Sequence, residues 1–136
     1  MNNHNLKPSE PCSSMNPSEP LDMRENLGSV VTLTLNRPKQ FNALSVDMLS
    51  AMQTELDSIA QDSSIRVVVI AANGKAFCAG HNLKEMRANP EKAFQRALFE
   101  QCSQMMLTIN RMPQVVIAKV EGIATAAGCQ LGQPVI

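Results

Sequence analysis

The chain has 136 residues, 44% of them apolar, and its 12 basic side chains balance 12 acidic ones, so the formal net charge is zero. A neutral chain has no long-range attraction to nucleic acid or to an anionic membrane, and without Trp or Tyr it offers no base-stacking or sugar-stacking face. No apolar run approaches the roughly 20 residues of a membrane-spanning helix. Cys12, Cys78, Cys102 and Cys129 form no C-x-x-C pair, and with only His4 and His81 as partners they predict neither a zinc site nor a disulfide framework.

Residues 1–26 hold Pro8, Pro11, Pro17 and Pro20 among Ser and Asn and are read as a disordered leader, with the domain running from 27 to 136. The leader lacks the apolar core of a secretory signal. With Glu10, Glu19, Asp22 and Glu25 against Lys7 and Arg24, it is also a poor mitochondrial presequence. Residues 30–35 (VVTLTL) alternate and are β-branched, which predicts a strand. Ser45 is a candidate N-cap for a helix whose apolar face is Val46, Leu49, Met52, Leu56 and Ile59. Residues 66–72 predict a second strand, apolar throughout and expected to be covered on both faces.

Residues 83–87 predict a short helical turn. Asn89 and Pro90 are read as cap and first residue of a longer helix with Phe94, Leu98, Cys102, Met105, Ile109 and Met112 on one face, closed by Pro113. Its Met stripe is read as core packing. A third strand is expected over 115–120 and a last helix from 126 to 132. Strands alternating with helices predict an α/β fold with parallel strands joined by right-handed crossovers. The last helix has room for about two turns, and nothing follows to cover it, so the chain is expected to be the front portion of a larger domain.

Two runs of small residues stand out, 74–82 (GKAFCAGHN) and 122–130 (GIATAAGCQ), each placed after an apolar strand and before a helix. A strand turning into a helix through Ala and Gly leaves backbone N–H groups uncovered, suited to an anion or a developing oxyanion. Two such loops on adjacent parallel strands can aim two donors at one point, the geometry that holds the oxygen of a thioester enolate. No G-x-G-x-x-G follows a strand, which argues against a dinucleotide-dependent dehydrogenase.

The motifs NRPKQFNALS (36–45), GKAFCAGHNLKEM (74–86) and VEGIATAAGCQLG (120–132), in this order, resemble the crotonase, or enoyl-CoA hydratase/isomerase, superfamily. The resemblance implies a crotonase-like superhelix of β-β-α turns with two sheets, truncated here after the second oxyanion loop. It implies acyl-CoA or enoyl-CoA as substrate, with coenzyme A part of the substrate and no separate cofactor or metal. It further implies enolate stabilisation in fatty-acid metabolism, a trimeric or hexameric assembly, and a mitochondrial location, with the cytosol as the alternative left by the poor presequence. The oxyanion donors it implies are the backbone N–H groups of His81 and Ala127; the His81 side chain itself is read as loop packing. Lys39, Ala43, Leu44, Ala79, Asn82, Leu83 and Lys84 match positions that contact the coenzyme.

Hydratases of this family carry a glutamate three residues after the second donor, where this chain has Gln130. An amide has no usable pKa and cannot act as a general base, although it can hold a water or a carbonyl by hydrogen bonding. The second glutamate would fall beyond residue 136. Two readings therefore stand side by side: a hydratase- or isomerase-like enzyme with Gln130 at its site, and a non-catalytic acyl-CoA-binding or regulatory protein.

Overall fold

A computed structural model of the chain describes residues 22–132. Most of the leader expectation (1–21) lies outside the described residues, but its last part is corrected. Strand β1 (Asp22–Leu27) pairs antiparallel with β2 (Val30–Leu35) across a two-residue turn at Gly28–Ser29. Gly28 takes φ +62°, which a two-residue hairpin turn requires and glycine supplies without strain.

The main sheet continues from β2 to β3 (Val67–Ala72) and then to β5 (Val115–Ala118), each pair parallel, in the order β1-β2-β3-β5. Helix α1 (Val46–Ala60) makes the first crossover. Helices α2 (Leu83–Ala88) and α3 (Lys92–Arg111) make the second. The Ser45 hydroxyl accepts the Met48 N–H at 3.1 Å and caps α1 as its position predicts. Val31, Leu33 and Leu35 of β2, Val68 and Ile70 of β3 and Val116 of β5 point to one face. There they meet Leu49, Met52, Leu56 and Ile59 of α1 and Leu98, Met105 and Ile109 of α3 in a single core.

Two expectations are corrected here. The strand at 66–72 is not covered on both faces: Val67, Val69 and Ala71 are only half-buried, and on the neighbouring edge strand Val115 and Ile117 are 59% and 49% exposed. Both long helices lie on the opposite face. Asn89 and Pro90 do not start α3, whose N-cap is Glu91 without a side-chain cap bond. Asn89 instead closes α2, its backbone N–H and its side-chain amide both donating to the Glu85 carbonyl at 3.1 and 3.0 Å.

A second, two-stranded sheet pairs β4 (Ala76–Cys78) parallel with β6 (Ile123–Ala124), and α4 (Ala127–Leu131) follows at once. All three residues of β4 are buried. Both strands fall inside runs that the sequence reads as loop.

Candidate functional site

The β4–β6 ladder places the two small-residue loops side by side. Thr125 ties them: its N–H donates to the Cys78 carbonyl at 3.1 Å, and its hydroxyl donates to the Ala79 carbonyl at 3.1 Å. Gly80 has φ +85°, and a Cβ there would sit 3.1 Å from the Ala126 methyl and 3.4 Å from the Ala127 nitrogen. The backbone just before His81 therefore lies against the Ala127 amide. At Gly128 a side chain would strike the Cys78 carbonyl, so only glycine lets the start of α4 rest on β4. Between them, Ala126 holds φ 52° and ψ −125°, a conformation that costs an L-residue of order 1–3 kcal/mol.

Among the described residues, neither the His81 N–H nor the Ala127 N–H donates to a backbone carbonyl, unlike three other amides of the same loops. The Ala79 N–H donates to Phe41 at 3.0 Å, the Gly128 N–H to Thr125 at 2.8 Å and the Cys129 N–H to Ala126 at 3.0 Å. Two neighbouring free amides at the ends of two tied loops are thus available to a ligand oxygen.

The first motif is fixed to the same place by a residue the sequence reading did not single out. Asn42, fully buried with φ 52°, accepts the Arg37 N–H at 2.8 Å and donates to the Asn73 and Ala76 carbonyls, each at 2.9 Å. Its left-handed backbone suits Asn, which tolerates that region best after Gly. Leu44 donates its N–H to the Gly80 carbonyl at 2.7 Å and bridges to His81. Glu85, also missed, accepts the Val46 N–H at 3.0 Å and so links α2 to the start of α1.

The residues matched to coenzyme contacts divide into two sets. Ala43, Leu44 and Ala79 lie along this seam with His81, but Leu44 is fully buried and the Ala79 N–H is already used. The Asn82 carboxamide oxygen is occupied too, accepting the Glu85 N–H at 3.2 Å as the N-cap of α2. Leu83 is 70% exposed, and Lys39 and Lys84 are exposed. Lys39 stands on the 3₁₀ turn Pro38–Gln40, and neither lysine has an ion-pair partner among the described residues.

Beyond the two amides lies an open cavity of about 430 Å³ between the loops and one face of α3. His81 and Gln130 line it from the loops, and Phe99, Ser103, Met106 and Asn110 line it from the helix. The His81 ring meets Phe99 edge-on, centroids 5.1 Å apart at 73°. Burial holds the imidazole below its ordinary range, and the adjacent Leu44 backbone opposes that shift. Burial also pushes the Cys78 thiol up to about 11 and raises that of Cys102, so both thiols stay protonated near neutral pH. Gln130 does reach the cavity, exposed on its wall.

A fold with one mixed, mostly parallel sheet, a second small parallel sheet and paired small-residue loops defines a class. Residues 25–133 match the Enoyl-CoA hydratase/isomerase family, and the chain belongs to it. Enoyl-CoA hydratase domain-containing protein 3, mitochondrial, from Xenopus laevis is 40% identical over 112 residues, which are 82% of this chain and 38% of that protein. The 2,3-dehydroadipyl-CoA hydratase of Escherichia coli is 39% identical over 102 residues, 75% of this chain and 39% of its own length. Among solved structures, human enoyl coenzyme A hydratase domain-containing protein 3 superposes with a TM-score of 0.79 at 36% identity, covering 82% of this chain and 44% of that one. An enoyl-CoA hydratase from Mycobacterium smegmatis gives 0.81 at 57% identity, with 83% and 44% covered. The chain thus spans about two-fifths of the length of the curated relatives it matches.

Proposed function

We propose that the chain binds an acyl-CoA thioester and stabilises its enolate, with the thioester oxygen between the N–H groups of His81 and Ala127. The observation that carries this reading is the pair of free amides at loops tied together through Thr125 and Gly80. Amides fixed in advance favour an oxygen that gains charge over one that does not. The acyl group would enter the cavity beneath α3. The nucleotide end would lie along the Ala43–Leu44 and Ala79–Lys84 seam, with Lys39 supplying a point charge for phosphate. The relatives whose printed names carry "mitochondrial" support a mitochondrial setting, and an acyl-CoA substrate would place the chain in fatty-acid metabolism.

Binding is tested by thermal unfolding with butyryl-CoA. A ligand at 100 times its Kd adds about 2.7 kcal/mol to stability, whereas free coenzyme A, lacking the thioester, should add less. No response to the ester would refute the reading.

Gln130 on the cavity wall favours a second reading, a binding protein without hydratase activity. Loss of the conjugated enoyl absorbance of crotonyl-CoA separates the two, since turnover supports hydration and retained binding without turnover supports the binder.

A further inference from the structure

Formation of an enolate requires a base beside the carbonyl whose oxygen the amides hold. Among the described residues that line the cavity, only His81 and Cys102 titrate. Burial keeps the Cys102 thiol protonated, and Gln130 is an amide. His81 places its own backbone N–H at the oxyanion position and its ring on the cavity wall, so the ring is within one side chain's reach of the carbon next to the thioester carbonyl. Its Nδ1 is buried with no well-directed hydrogen-bond partner among the described residues, and the adjacent Leu44 backbone favours the charged form of the ring. The ring lies edge-on to Phe99 and beside the Leu44 backbone.

We propose that the His81 imidazole is the base of this site, exchanging the proton on the α-carbon of a bound acyl-CoA thioester. The inference rests on the binding mode proposed above and goes beyond it by assigning the proton transfer. The ring's free nitrogen lone pair takes the α-proton. The C–H pair becomes the carbon–carbon double bond of the enolate, and the carbonyl π pair moves onto the oxygen held by the two amides. The imidazolium, after exchange with solvent, returns a proton to the same carbon, so no oxidant or co-reactant is needed. A ring kept neutral by its partly buried position has that lone pair available near neutral pH.

The test is deuterium wash-in at the α-carbon of butyryl-CoA in D2O, read by mass spectrometry, with thermal-shift binding measured on the same samples. The chain should exchange. H81Q, which keeps the backbone N–H, should still bind but exchange about 100-fold more slowly, the scale of a lost general base. H81A should recover exchange when free imidazole is added, which a packing role alone would not produce. Binding without exchange in the unsubstituted chain overturns the assignment. So does exchange that survives in H81Q, or a folded H81A that imidazole does not rescue. Absence of binding in the unsubstituted chain overturns the proposed function itself and this assignment with it.

Discussion

The two sheets of this molecule are built on different physics. In the four-stranded sheet, one face of β2 and β3 and the facing sides of α1 and α3 are fully buried apolar surface, with Leu33, Ile70, Met52 and Met105 at its centre. In the two-stranded sheet the strands are three and two residues long; Phe77 and Cys78 of β4 join the same core, but close backbone approach at Gly128 and the hydrogen bonds of Asn42 and Thr125 set how its loops sit. Burial, non-directional and roughly proportional to area, suits the first region to carrying stability. Hydrogen bonds fix direction as well as distance, so the second holds its two loops in a set relation to each other, as the proposed function requires.

That contrast can be broken from either side. Leu33→Ala should destabilise the chain most, by about 2–5 kcal/mol in denaturant unfolding. A loss under 1 kcal/mol would show that the main sheet is not where stability resides. Asn42→Ala leaves the Asn73 and Ala76 carbonyls and the Arg37 N–H without their partner. It should cost about 2–3 kcal/mol, at the upper end for unpaired buried groups, and weaken butyryl-CoA binding as well.

Gly128→Ala should cost about 1–3 kcal/mol through overpacking against the Cys78 carbonyl. Unlike Leu33→Ala, it should abolish ester binding under conditions where circular dichroism still shows a folded chain. Ala126→Gly should act in the opposite direction. Relief of the positive-φ strain should raise the melting temperature, with a gain of about 1 kcal/mol.

The smallest expected effect is on pH dependence. An imidazole held below its ordinary range binds its proton less readily folded than unfolded. Its contribution to stability is complete above about 6.5, the ordinary imidazole value, and is lost as pH falls from there toward the lowered folded value. H81Q should flatten the stability profile in that window, and an unchanged slope would show that the ring is not buried enough to matter.

The same contrast explains what the sequence made legible. The apolar periodicity of α1 and α3 and the β-branched runs of β2, β3 and β5 announce the main sheet, because burial writes itself into residue type at fixed spacing. The small-residue runs announced the site loops: His81 and Gln130 line one cavity, and the Gly80 backbone lies against the Ala127 nitrogen. Strand β1 (DMRENL) was hidden because it is polar, its only cue being the Gly28–Ser29 turn after it. Strands β4 and β6 were hidden because strands this short show no period. Asn42 and Glu85 act on partners 31 to 39 residues away, a distance at which local pattern says nothing. The open face of β3 and β5 was misread because an apolar run shows that a strand can be buried, not that a layer within the same chain covers it.

Backbone NMR addresses the two amides directly. With 15N label at His81 and Ala127, titration of butyryl-CoA should shift both N–H resonances downfield together, saturating at one ligand concentration and exceeding the shift of the Ala79 amide, which is already bonded to Phe41. Binding of the ester that leaves either resonance in place would contradict the proposed binding mode.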